Sequence, residues 1–323
     1  MSDCKLTAGC AERDITPRNS QFLYGYPYVE RMSTGAHDPL TSSALYVSDG
    51  RQQALFISNE IIYLTKASVA RIREGIAARA EIPSSNIFVA TTHTHSGPVT
   101  VEIVMSRNDS VVKPVDPDYL PYVENSAIEA GCNAIASAVP AEAAFAVADA
   151  TGVGTNRHDP AGPRDMDVPV MVVRNRATKQ YLGCMLVCSM HPTVLHEDSK
   201  LCSGDFPHFT RARLQSELLG SGCPVVYFTG TAGDQSPRHV TRANTFAEAQ
   251  RLGEIVADSV ISHLKEINFS DEVPVKTEHT LLELPKRIFP SVEDAARHRH
   301  EAKSYFEKIK TDGSASPQQL RTA

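Results

Sequence analysis

Ile87-Phe88-Val89-Ala90, a short apolar run, is followed after Thr91 by Thr92-His93-Thr94-His95-Ser96-Gly97-Pro98. The run reads as a buried strand over 87–92. A strand places residues i and i+2 on one face, so the spacing predicts that His93 and His95 project together where the strand ends. Gly97-Pro98 then stops the strand and opens a loop. Two imidazoles meeting at a loop edge suggest a metal site, although an HxH pair alone more often marks surface or core histidines. A second run, 181–188, ends in Ser189-Met190-His191-Pro192-Thr193 and supplies a third imidazole at another strand end.

The remaining punctuation alternates strands with helices. Strands are expected over 44–48, 54–58, 144–149, 168–174, 181–189, 224–229 and, by alternation, 275–284. Helical spacing joins Val69, Ile72 and Ile76, then Ile128, Cys132 and Ile135 within 118–138. It continues through Leu214 and Leu218 of a helix around 207–219, then Leu252, Val256, Val260 and Leu264, and closes with a charged helix near 291–310. The pattern predicts an α/β fold of mixed β-sheets flanked by α-helices, a layered αββα-like catalytic domain over 1–285. Residues 286–323 are expected to form the charged helix and a disordered polar tail from Thr311. No internal repeat is visible in the sequence.

Composition removes several function classes. The chain has 323 residues, enough for a large core, and a formal net charge of −6 without a basic block, which argues against nucleic-acid binding. No apolar run reaches transmembrane length, and Met1-Ser2-Asp3-Cys4-Lys5-Leu6 lacks the apolar core of a signal peptide. Seven scattered cysteines without a CxxC pair fit reduced thiols and argue against a thiolate zinc knot, so a cytoplasmic protein is expected. A homo-oligomer is compatible with the sequence.

Other motifs add polar groups. Thr229-Gly230-Thr231-Ala232-Gly233-Asp234-Gln235-Ser236-Pro237 ends a strand with small residues and presents Ser236 beside Asp234; a plain solvated loop is the alternative. No GxSxG elbow is present. Gly154-Thr155-Asn156-Arg157 offers a guanidinium able to clamp a carbonyl oxygen or to stay solvated. Asp205 reads either as a helix N-cap or as a site residue. His37 reads either as a turn residue or as one that reaches the site. Glu60, at the end of strand 54–58, is an in-chain carboxylate for the metal or its surroundings.

In order, Ala8-Gly9, Asp14-Ile15-Thr16-Pro17, His37-Asp38-Pro39-Leu40, THTHSGP, Thr155-Asn156-Arg157, His191-Pro192-Thr193 and Gly233-Asp234-Gln235-Ser236-Pro237 resemble the neutral/alkaline ceramidase family over residues 7–270. These are zinc-dependent amidases that cleave the N-acyl bond of ceramide. The resemblance implies one zinc per chain held by His93 and His191. It also implies His95 and Arg157 on the reacting oxygen, and Ser236 as nucleophile in the loop that carries Asp234. The family's GDVSPN-type loop has Val and Asn where Gln235 and Arg238 stand here. Its glutamate and tyrosine ligands, from PGE-like and GY motifs, have no counterpart in this chain, and truncation of a longer protein is the expected reason. The expected function is a zinc-dependent amide hydrolase acting on a small-molecule or lipid amide, with soluble substrates favoured by the lack of Trp and of an export signal. The alternatives are a metal-dependent esterase and an inactive, metal-incomplete relative that acts as a binding protein.

Overall fold

A computed structural model describes residues 5–103, 109–286 and 288–313. The chain divides into two compact units, 1–278 and 279–323. In the first unit the elements run β1 (Thr7–Asp14), β2 (Gly35–Ala36), β3 (Thr41–Ser48), β4 (Gln53–Asn59), α1 (Lys66–Ala77), β5 (Ile87–Thr91) and α2 (Tyr119–Ala136). There follow β6 (Val139–Asp149), β7 (Thr155–Asn156), β8 (Asp167–Asn175), β9 (Tyr181–Cys188), β10 (Leu201–Cys202), α3 (Phe206–Leu214), β11 (Val225–Thr229), β12 (Gln235–Ser236) and α4 (Phe246–Leu264).

Eight strands form one mixed sheet in the order β11-β9-β8-β6-β1-β3-β4-β5. Its middle is a weak seam, since β1 meets β6 only through Thr7↔Pro140 and Ala8↔Val139. On either side the same plan recurs. A hairpin (β3-β4, then β8-β9) is followed by a helix (α1, then α3), by a strand parallel to the second hairpin strand (β5, then β11), and by a covering helix (α2, then α4). The repeat lies in topology and not in sequence, which is why no sequence period reveals it.

The two halves fold over the seam and face one another. Leu45, Val47 and Ala54 of one half share a buried cluster with Met171, Val173, Val226 and Phe228 of the other. The outer face of the first half carries Leu55, Ile57 and Ile87 under Ile72 and Ile76 of α1 and Ala127 and Ala134 of α2. The outer face of the second carries Val170, Cys184, Leu186 and Val225 under Phe206 and Leu214 of α3 and Leu252, Val256 and Val260 of α4. The result is the four-layer αββα arrangement read from the sequence. Helix α4 lies close on α3 because Gly253 bears no side chain: an added Cβ would fall 2.5 Å from the Phe206 carbonyl oxygen. Among the described residues no helix is long and apolar enough to cross a membrane.

Three expectations change. Strand β1 was not anticipated, because Thr7-Ala8-Gly9-Cys10-Ala11-Glu12-Arg13-Asp14 is poor in β-branched and aromatic residues; its full register with β3 holds it in place. Segment 275–284 forms no strand. Its alternation persists at the start, where Val273 and Val275 lie on the inter-sheet cluster and the Val275 N–H donates to the Asp49 carboxylate, but no neighbouring strand pairs with it. Helix 207–219 is α-helical only to Leu214 and ends in a π turn, Gln215–Leu219.

In the second unit, α5 (Val292–Asp312) starts at Ser291, whose hydroxyl accepts the Asp294 N–H, and stops at Gly313 with φ 66°. The tail from 314 onward lies outside the described residues.

Candidate metal centre

Both strands that carry the histidines end on the same side of the sandwich. The Thr92 N–H donates to the Asn59 carbonyl and the His93 N–H to the Ile61 carbonyl, so the segment leaving β5 stays clamped to the segment leaving β4. Across the sandwich, the Thr229 hydroxyl at the end of β11 donates 2.6 Å to the Thr92 carbonyl. Strand geometry stops there. β5 ends at Thr91, and His93 sits in the left-handed region at φ 64°. His93 and His95 therefore converge through a left-handed turn and not through strand alternation. A non-glycine residue held there costs on the order of 1 kcal/mol, the kind of strain that collects at functional sites.

His93, His95 and His191 form one cluster, with ligand atoms all within 4.8 Å of one another. His93 Nε2 lies 2.9 Å from His191 Nε2 and 3.5 Å from His95 Nε2. His93 Nδ1 lies 3.1 Å from the Ile62 carbonyl oxygen, and His191 Nδ1 lies 2.7 Å from that of Ala232. Each Nδ1 must carry the proton to make these bonds, which leaves each Nε2 an unprotonated lone pair. Burial lowers His93 and takes His191 down to about 4, with His93 and Arg157 adding to the fall in His191. His95 is pushed well below the usual histidine range, again chiefly by burial. Three neutral imidazoles thus face inward with two lone pairs 2.9 Å apart, a repulsive arrangement unless a cation lies among them. Carbonyl acceptors behind ligating imidazoles are the usual outer partners of a metal site. The donor set fits a metal ion.

The surroundings come from distant segments. Tyr63 meets His93 edge-on at 4.9 Å between ring centres, and Tyr26 meets His95 at 5.3 Å. Gly25, at φ 129°, passes so close that an added Cβ would fall 2.6 Å from the His95 ring. None of these three was anticipated. A glycine between tyrosines, Tyr24-Gly25-Tyr26, was the available hint.

Arg157 and Ser236 are brought together through paired backbone. β7 and β12 form a two-stranded ladder with Gln235↔Asn156 and Ser236↔Thr155, and the Arg157 N–H donates 2.6 Å to the Asp234 carbonyl. The same loop touches the histidine cluster, since the His191 N–H donates to the Gln235 carbonyl. Arg157 Nε is buried with no hydrogen-bond partner among the described residues, and the guanidinium is close enough to depress both His93 and His191. Ser236 is 4% exposed, and its hydroxyl accepts the Arg238 N–H at 3.3 Å. Asp234 is exposed and holds the Asn156 amide at 3.2 Å, a bond that braces the ladder. Gln235 is buried and structural: its side-chain oxygen accepts the Asp165 N–H and its amide donates to the Thr231 carbonyl.

Three further residues lie outside the cluster. His37 stacks on Phe246 at 3.7 Å and bonds Asp38. Asp205 caps α3 and also accepts the N–H groups of Val194 and Leu195, which fixes the loop beyond His191. Glu60 faces Arg211 (2.8 Å) and the Thr41 N–H and hydroxyl, not the histidines.

Burial raises Glu60 to about 7, opposed by Arg211, with Asp38 adding to the rise. A carboxyl raised from 4.5 binds its proton more tightly in the folded chain, so folding loses stability as pH climbs from about 4.5 to 7. Glu60→Gln removes that slope. The melting-temperature difference, Glu60→Gln minus wild type, is expected to rise with pH across this window. A flat difference in thermal melts from pH 4.5 to 7 contradicts it.

No protein-family model matches the chain, and comparison with curated proteins finds none similar in sequence. Solved structures do match. Neutral ceramidase from Pseudomonas aeruginosa superposes with a TM-score of 0.72 at 16% identity, covering 82% of this chain and 45% of that one. A ceramidase complexed with C2 matches with the same score and identity, covering 82% and 44%. The chain therefore spans less than half the length of these structures, and its fold is the one found in neutral ceramidases.

Proposed function

We propose that this chain is the catalytic part of a zinc-dependent amide hydrolase of the ceramidase type. The observation that carries this reading is the pair of unprotonated Nε2 atoms of His93 and His191, 2.9 Å apart and backed by carbonyls, with His95 beside them. Imidazole ligands suit zinc. His93 and His191 would hold the ion, as the resemblance implies. A zinc ion bound there supplies Lewis acidity toward an acyl carbonyl and lowers the pKa of a neighbouring hydroxyl or water.

The chain's own groups perform the rest. The Arg157 guanidinium receives the developing negative charge on the acyl oxygen. His95 borders the same position and donates to that oxygen. The Ser236 hydroxyl forms a bond to the acyl carbon as the C–N bond breaks, and the hydroxyl proton leaves with the departing amine. Water then cleaves the acyl–serine ester and releases the acid. Asp234 acts one step back, through Asn156, by holding the ladder that carries Arg157 and Ser236.

The expected result is hydrolysis of N-acyl amides that stops on chelation and returns with zinc. A panel of soluble N-acyl amides, ceramide in mixed micelles and simple esters, assayed with and without chelator, measures both the dependence and the substrate class. Ester turnover without amide turnover would make the chain a metal-dependent esterase. A chain that takes up no zinc and hydrolyses nothing would be a binding protein on the same fold.

A further inference from the structure

Arg31 is among the largest fully buried side chains, at 0% exposure, yet among the described residues its hydrogen-bond partners are carbonyls and a hydroxyl, and the nearby acidic residues, Glu197 and Asp198, act on it only through space. Burying a guanidinium without a directly bonded counter-charge costs free energy. The bonds it makes show what the residue secures. Nη1 donates 2.8 Å to the His95 carbonyl, and Nη2 reaches the Ser96 hydroxyl at 3.4 Å. Nε and Nη2 both donate to the Ser199 carbonyl, at 3.1 and 3.0 Å. The guanidinium also lies 5.1 Å over the Tyr26 ring, which meets the His95 ring at 5.3 Å and the His196 ring at 4.8 Å and whose hydroxyl donates 2.7 Å to the Leu195 carbonyl.

Two routes therefore run from Arg31 to His95, one through the His95 backbone and one through Tyr26. Both also reach the 195–199 segment that follows His191. Building on the metal-hydrolase reading, we propose that Arg31 is a positioning residue that sets the His95 ring and ties the two histidine-bearing loops into one unit. The planar fork suits the role because a single side chain bonds several carbonyls at fixed angles. Lysine keeps the charge but not the fork.

The test compares wild type, Arg31→Lys and Arg31→Gln as full chains, with Arg211→Lys as a control. Arg211 is a similarly buried arginine whose partners are the carboxylates of Glu12 and Glu60. Imidazole nitrogen NMR on the metal-free chains should show one His95 tautomer in wild type, an averaged one in Arg31→Lys, and the wild-type pattern in Arg211→Lys. Cobalt(II) titration should show affinity reduced about 10- to 100-fold in Arg31→Lys and unchanged in Arg211→Lys. Wild-type His95 signals in Arg31→Lys overturn the positioning role, as does an equal disturbance in Arg211→Lys. If wild type binds no cobalt, the metal reading fails while the NMR comparison still decides for or against Arg31. If Arg31→Gln does not fold, Arg31→Lys alone decides.

Discussion

His191→Ala is expected to yield a folded chain that no longer retains zinc, with amide hydrolysis reduced about 10³-fold or more. That loss corresponds to roughly 4 kcal/mol of transition-state stabilisation. His191 is 8% exposed and its Nδ1 satisfies the Ala232 carbonyl, so truncation also leaves a buried acceptor unpaired, which costs about 1–3 kcal/mol of stability. His191→Asn separates the two effects, because its shorter amide places an N–H where Nδ1 donated to the Ala232 carbonyl and carries nothing at the inward Nε2 position. Metal content per chain, melting temperature and turnover measured on the same preparations distinguish them. A ligand role requires that zinc and activity fall together in both variants while the melting temperature falls mainly in alanine. Full zinc retention in His191→Ala contradicts the assignment, and so does activity within a few-fold of the wild type.

The centre was partly legible in sequence because strand ends are legible. Apolar runs such as 87–90 and 181–188, each halted by small residues or proline, mark where a loop leaves a rigid edge, and the chemistry stands there. Two things were not legible. The first is backbone conformation: nothing in Thr92-His93-Thr94 announces the left-handed φ of His93, so a correct pairing of His93 with His95 rested on an alternation that the chain does not follow. The second is long-range support. Arg31 meets His95 across 64 positions, and Tyr26 meets Leu195 across 169, so neither residue carries a local signal. The fold shows the same division. Helices α1, α2 and α4 declare themselves through apolar spacing, whereas β1 becomes a central strand only because β3 pairs along its whole length. Glu60 was legible only as a position. Its place at the end of β4 offered a carboxylate for the metal or its surroundings, and the partners it has in the fold, Arg211 and Thr41, come from outside that local signal.

Ser236→Ala is the second large effect, and its form decides how the amide is attacked. With the serine hydroxyl as nucleophile, the variant should keep its zinc and its KM while kcat falls about 10³-fold. Wild type should show a pre-steady-state burst of released amine, one per chain, because acylation precedes hydrolysis of the ester; the burst should vanish in the variant. The structural cost of the change is small. The hydroxyl caps only the 3₁₀ turn Pro237–His239 through the Arg238 N–H, and loss of a cap amounts to about 1 kcal/mol. The ladder to Thr155 is made by backbone and survives the substitution. A collapse in turnover with an intact fold and intact metal thus reports on chemistry. If instead Ser236→Ala retains turnover within about tenfold and wild type shows no burst, water is the attacking group. Arg157 then still faces the acyl oxygen, and Ser236 is left with the capping bond that the structure gives it.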